Sequence, residues 1–421
     1  MTPRRRAEEE ISTMTEAARD QRPSPVPGEG EPFDTERALA TLRALCVPEM
    51  GGRAPGSAGH ERATAFLVSE LTAAGLSPAL EHFAISGVLR LSAPPYCGVA
   101  GPGQARDLVH RAEFAEHPRS GPMPAPVTAL ASEEALPGRW AVVRGSSQGA
   151  GFAELADSYA ARGVVGLLVG QHADASGYLT KRVQGPSPVR LPVVALLPEL
   201  LDAVAGETVT AHVPLERVPA VGVNIVATLP GRAPDARPIL LTAHYDGVGS
   251  DPGRHFPCAG DNASGTAVVC EVARVLSRTD PLERPVIFAL LDGEEMGTLG
   301  SGAHARQLSE RKLRPDVLNI DMAGKFNGKV AVELGPADPV PSDLIAALDA
   351  SGRRLGVPLY AAPVASDNRR YAAAGFPSAG VGLGAAHYHS PLDSPERIEA
   401  EALHKAGQLT LATVRHLAAH G

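Results

Sequence analysis

Apolar residues recur at helical spacing early in the chain. Ala63, Phe66, Leu67, Leu71 and Ala74 fall on one stripe, which predicts a helix over 60–75 with Gly75 as its stop. Similar spacing predicts a helix over 36–46, and a strand candidate follows at 78–85. From about 87 to 220 the pattern changes to short β-rich segments divided by Gly and Pro, with strands expected at 140–143, 164–169 and 192–197 and a helix at 152–162. After Gly222 strand and helix alternate. Strands are expected at 224–229, 238–243, 286–291, 317–320, 330–334 and 378–382, and helices at 264–276, 299–308, 342–356 and 396–419. Such alternation predicts an α/β fold with a mostly parallel, mixed sheet and helices on both faces, its ligands gathering beyond the carboxyl ends of the strands.

The same reading divides the chain. Residues 1–33 are polar and end in a Pro/Gly-rich run, which predicts a flexible tail. Segments 34–88 and 221–421 are expected to form one catalytic domain, interrupted by a β-rich insert at 89–220. A length of 421 residues suits two such domains. With 44% hydrophobic and 20% charged residues the composition is that of a globular chain, not a disordered one. The formal charge of -8 and the lack of a dense basic block argue against a nucleic-acid surface. Cys46, Cys97, Cys258 and Cys270 are scattered without Cys-x-x-Cys spacing, which argues against a disulfide framework or a thiolate metal site. Arg4-Arg5-Arg6 is followed by Glu8-Glu9-Glu10 where a secretory signal needs an apolar stretch, and no run of 18 apolar residues occurs, so a cytoplasmic location and no membrane partner are expected.

Candidate chemistry gathers at the predicted strand ends. His244 and Asp246 follow the strand at 238–243 and are two apart, so in extended backbone they share a side, and Asp246 can hold the imidazole nitrogen that faces away from a metal. A solvated strand end is the other reading. Asp261 precedes a helix, where it is either a cap or a carboxylate able to bridge two cations. Glu294 and Glu295 follow a buried-looking strand and point different ways, so either one binds metal while the other faces an activated water, or the pair is a solvated turn. Asp321, directly after Val317-Leu318-Asn319-Ile320, needs a partner that a metal or a hydrogen bond can supply. His389 competes with His387 as a last ligand.

Five segments in this order resemble the zinc-dependent exopeptidase family that includes aminopeptidase Y and glutamate carboxypeptidase II. They are Thr242-Ala243-His244-Tyr245-Asp246, Ala259-Gly260-Asp261-Asn262-Ala263-Ser264-Gly265, Asp292-Gly293-Glu294-Glu295, Asn319-Ile320-Asp321-Met322 and Tyr388-His389-Ser390. Arg53-Ala54-Pro55-Gly56-Ser57 resembles the family's opening segment, and residues near 90–220 resemble its protease-associated insert. The resemblance implies a phosphorylase/hydrolase-like zinc exopeptidase core and two Zn2+ ions. It assigns His244 and Asp321 to one ion, Glu295 and His389 to the other, and Asp261 to both. It makes Glu294 the general base, Asp246 the orienting partner of His244, and Tyr388 an oxyanion donor. It further implies a cis peptide between Asp261 and Asn262.

A peptide or amide substrate follows, with release of N-terminal residues as the favoured activity. Two departures bear on substrate. Gly260 stands where many relatives place a second aspartate, and Asn368-Arg369-Arg370 follows Ser366-Asp367 where many continue with histidine. The arginine pair leaves open carboxypeptidase-type or specialised amide hydrolysis. Acyl transfer of the glutaminyl-cyclase type on one zinc, or a metal-free binding module, is a further alternative.

Overall fold

The computed structural model describes residues 32–101, 104–335 and 342–420. The expected tail therefore lies outside the described residues as far as position 31.

Two sheets organise the described residues. Strands β1 (Ala79–Leu91) and β10 (Leu215–Leu229) join β11 (Ile239–His244), β12 (Val286–Leu291), β13 (Asp316–Ala323), β14 (Val330–Leu334), β15 (Leu359–Ala361) and β16 (Ser378–Gly384) in one sheet. Its order is β1-β10-β12-β11-β13-β16-β14-β15. The centre is parallel: β11 pairs with β12 and β13, and β13 pairs with β16. The joins of β1 to β10, β10 to β12 and β14 to β16 are antiparallel, so the sheet is mixed as expected.

Alternation along the central strands explains why both faces are covered. Ile239, Leu241 and Ala243 of β11, with Val286, Phe288 and Leu290 of β12, enter one core with Leu42, Leu67, Val268 and Leu409 from four helices. Leu240, Ile287, Ala289 and Leu291 point the other way, onto Ala305, Leu308, Tyr371 and Phe376. Successive side chains of a strand face opposite sides, so a run with no polar residue is buried on both.

The second sheet contains β2 (Tyr96–Gly101), β3 (Gln104–Asp107), β4 (Phe114–Glu116), β5 (Val127–Ser132), β6 (Trp140–Val143), β7 (Gly166–Gly170), β8 (Val193–Leu196) and β9 (Thr208–His212). The sequence pattern anticipates only β6, β7 and β8, the most apolar of them.

Several expected boundaries shift. The strands expected at 78–85 and 224–229 are much longer, because β1 and β10 pair with each other from Ala79↔Val226 to Leu91↔Leu215 as a two-stranded ribbon. Its outer part also buries Val88, Leu89 and Leu91. The ribbon also passes through both expected edges of the insert, at 88/89 and 220/221. The helix expected over 396–419 is a short turn at Pro395–Arg397 followed by a helix at Ala400–His420. Between them the Glu399 amide donates to the Gly324 carbonyl and not to a helical partner.

Candidate metal centre

Apart from Asp261, which lies in the turn Ala259–Ala263 ahead of a helix, each candidate ligand sits at or beyond the carboxyl end of a parallel strand. His244 ends β11, Glu294 and Glu295 follow β12, Asp321 lies in β13, and His389 follows β16. Adjacent parallel strands bring these ends to one edge of the sheet, although their sequence positions span 145 residues by subtraction (389 minus 244).

Two groups form there: His244, Asp261 and Asp321, and Asp261, Glu295 and His389, with the ligand atoms of each within 4.8 Å of one another. Asp261 belongs to both. Its Oδ1 lies 3.2 Å from His244 Nε2 and its Oδ2 lies 3.4 Å from His389 Nε2. Asp321 Oδ1 is 3.3 Å from His244 Nε2, and Glu295 Oε2 is 2.9 Å from His389 Nε2. A tetrahedral zinc with bonds of about 2.0–2.1 Å has ligand-to-ligand edges of about 3.3 Å, which these separations approach. Neither ring nitrogen of His244 nor Oδ1 of Asp321 has a hydrogen-bond partner, although all three atoms are buried. Donor atoms this close, buried and not satisfied by one another fit a cation held between them.

Charge leads to the same conclusion. Burial alone would lower the pKa of His244, but Asp321, Asp246 and Asp261 hold it well above the usual imidazole value. His389 likewise resists the effect of burial and is held well above that value by Glu295 and Asp261. Burial pushes Glu294 well above the usual carboxylate value, and Asp367, Asp321 and Glu295 add to this over the opposing pull of His244. So many carboxylates in one dry site need positive charge, which two imidazoles supply only by remaining protonated.

A second layer fixes the ligands. Asp246 Oδ1 lies 3.4 Å from His244 Nδ1 and also accepts the Glu294 amide at 3.1 Å, while Oδ2 accepts the Glu295 amide at 3.2 Å. One carboxylate thus orients His244 and clamps the loop bearing both glutamates. The Asp261–Asn262 peptide is cis, as the resemblance implies. Asn262 Nδ2 donates to the Ile320 carbonyl at 3.0 Å, and its Oδ1 accepts the amides of Gly265 and Met322 at 2.8 and 3.2 Å. Asp261 is thereby tied beside Asp321.

Three supporting residues escaped the sequence reading. Asp393 accepts the Gly260 amide at 2.6 Å and the Asp261 amide at 3.1 Å, and burial pushes its carboxyl up to about 7. Arg53, fully buried, donates to the carbonyls of Tyr245, Leu45, Pro257 and Cys258 at 2.7–2.8 Å. It joins the backbone beside His244 to the backbone ahead of Asp261. Its motif was legible but its task was not. Asp367, buried and pushed up to about 7 by burial, accepts a hydrogen bond from Ser301.

The remaining candidates are placed as follows. Tyr388 is 47% exposed, and its ring lies 3.9 Å from that of His389, centroid to centroid. His387 is absent from both ligand groups and instead meets Ser176 and Arg397. Arg369 pairs with Glu333 at 2.8 Å, and Arg370 donates to Thr298 Oγ1 and the Gly297 carbonyl, both at 2.7 Å.

Fold and site together define an α/β protein with two imidazole–carboxylate groups at the carboxyl edge of a mixed sheet. Residues 224–414, the region that carries every candidate ligand, match the model of Peptidase family M28. Aminopeptidase YwaD of Bacillus subtilis is 32% identical over 188 residues, which cover 42% of this chain and 40% of the relative. The chain therefore matches about two fifths of that relative's length. Among solved structures, BSAP, a zinc aminopeptidase from Bacillus subtilis, superposes with a TM-score of 0.69 at 23% identity, covering 91% of this chain and 95% of its own. The aminopeptidase from Aneurinibacillus sp. strain AM-1 gives 0.67 at 21% identity, covering 92% and 94%. The architecture is thus shared along nearly the whole described chain, second sheet included.

Proposed function

We propose that this chain is a zinc metallopeptidase that releases N-terminal residues from peptides. The observation that carries the reading is Asp261, whose two oxygens face two separate imidazoles in two ligand groups. In this reading His244 and Asp321 would hold one zinc, Glu295 and His389 would hold a second, and Asp261 would serve both. The family match and the names of the relatives support zinc and aminopeptidase action.

When bound, the metal pair supplies Lewis acidity, which lowers the pKa of water and polarises a carbonyl. Glu294 takes the proton from the attacking water and returns it to the departing amine; its burial suits that task by raising proton affinity. Asp246 keeps His244 oriented and Glu294 in place. Tyr388, at the exposed edge beside His389, offers a phenolic hydrogen bond to the oxyanion. Residues 89–220 are read as a protease-associated insert.

Aminopeptidase action is preferred to carboxypeptidase action because Arg369 and Arg370 are both engaged within the protein. The test is a pair of blocked tripeptides offered to the zinc-loaded chain. A C-terminally amidated peptide is expected to be cleaved and an N-acetylated one refused. Cleavage of the acetylated peptide alone would overturn the assignment in favour of a carboxypeptidase.

A further inference from the structure

The loop bearing His389 is not held by the catalytic sheet alone. His387 and His389 both have left-handed backbone, with φ of 61° and 58°, a conformation that side chains with a Cβ adopt only when the surroundings impose it. Much of what surrounds them comes from the segment between β7 and β8 in the second sheet. The Lys181 amide donates to the His389 carbonyl at 3.1 Å. Five residues earlier, Ser176 meets His387 Nδ1, and the turn presenting it is closed by Asp174, which accepts the amides of Ser176 and Tyr178 at 2.8 and 2.9 Å.

The Lys181 side chain turns to a different part of the site. Its ammonium is 2.8 Å from Asp251 Oδ1 and donates to the Gly249 carbonyl at 2.9 Å, and it lies 5.1 Å from the centre of the Phe256 ring. Asp251 is also gripped by Arg111, at 2.8 Å through Nε and 3.2 Å through Nη2, and Arg111 in turn pairs with Glu116. Two cations and two carboxylates thus neutralise one another in a buried cluster. The loop carrying Gly249 and Asp251 is the one that leaves His244 and Asp246, and it is bound to the opening segment by the Gly249 amide on the Gly52 carbonyl at 3.0 Å. Lys181 therefore spans the loops that follow the two imidazole ligands.

We infer that Lys181 is a positioning residue for the metal centre: its ammonium anchors the inserted segment on Asp251, so that its amide fixes the backbone of His389. The second ligand group is then completed by support from outside the family-matched region. This deepens the proposed function and rests on His389 being a ligand.

The test compares the full chain with Lys181→Met, which keeps the amide and removes the ammonium. Zinc retention is titrated against a chelator, and hydrogen exchange is followed over 385–393 and 239–246. Loss of an outer partner typically weakens metal affinity by about tenfold or more, so one of two ions is expected to leave the variant at roughly a tenth of the wild-type chelator concentration. Exchange should accelerate over 385–393 and not over 239–246. Unchanged retention and exchange would overturn the inference, as would equal weakening of both ions with faster exchange in both segments, which marks a general loss of stability. If the unaltered chain takes up no zinc, the metal-centre reading fails, and the exchange comparison alone decides whether Lys181 holds the loop. Should Lys181→Met not fold, Lys181→Gln, which also removes the charge and keeps a polar end, decides by the same two measurements, and wild-type behaviour there overturns the inference.

Discussion

A methyl group at Gly260 would stand 2.6 Å from the Ala385 Cβ and 2.9 Å from Asp393 Oδ1. The glycine that departs from the family pattern is therefore required by its setting, since a side chain there would push Asp393 off the amides it accepts. Gly260→Ala is expected to destabilise the fold by about 1–3 kcal/mol, the range for overpacking a tight site, and to weaken metal uptake. Chemical denaturation and zinc titration check the two effects. Glu294→Gln keeps the Asp246 clamp, which uses only the Glu294 backbone amide, so metal content should persist while kcat falls by roughly 10²–10⁴, the range for losing a general base. Substantial residual turnover would remove Glu294 from that role. At this scale His244, Glu294, Glu295 and Asp321 stood out as candidates because they follow apolar strands, whereas Asp261 and His389 were picked out by the resemblance. Asp393 was not, because its contribution is two backbone hydrogen bonds to a distant segment.

At the scale of elements, the site depends on loops that are stitched together by buried polar groups. Arg53→Met would remove a donor from four buried carbonyls, of which Cys258 keeps the Ala263 amide, at about 1–3 kcal/mol for each group left unpaired. Urea unfolding should register a loss well above that of an ordinary surface change. Two other buried groups set a pH dependence. Burial pushes His117 and His304 down to about 4 from 6.5, helped by Arg119 and Arg311 respectively. Folded imidazoles thus stay neutral where unfolded ones protonate. Stability is complete above about pH 6.5 and declines as pH falls toward 4, by up to roughly 3 kcal/mol per residue. His304→Gln should make this acid limb shallower by about one proton in denaturation free energies taken from pH 7 to 4. The helices and central strands were readable because apolar periodicity defines them. The outer ribbon of β1 and β10 was not, since a register shift between Ile85 and Val88 and a proline at Pro219 break the alternation by which a strand is recognised.

For the whole molecule, the candidate metal centre joins the ends of β11, β12, β13 and β16, so the proposed zinc occupancy would be coupled to folding. A ligand present at about a hundred times its Kd stabilises by about 2.7 kcal/mol. Removing zinc with a chelator is therefore expected to lower Tm by several degrees, and re-addition should restore it; a Tm indifferent to zinc would contradict the ligand assignment. Among the described residues no helix is long and apolar enough to cross a membrane. The order of motifs was enough to anticipate the convergence of ligands, because parallel strands deliver their carboxyl ends to one edge. It could not anticipate Lys181, which lies in no motif and acts through a single amide and one buried ion pair.

The ribbon carries a consequence for the history of such a chain. Leu91 and Leu215 sit side by side as cross-strand neighbours, so the polypeptide departs and returns at nearly one point. Closing a long excursion across so small a gap adds entropy cost only logarithmically with its length. Growth, trimming or replacement of that excursion is accordingly tolerable to the first sheet, provided one lysine-bearing turn still reaches His389 and Asp251.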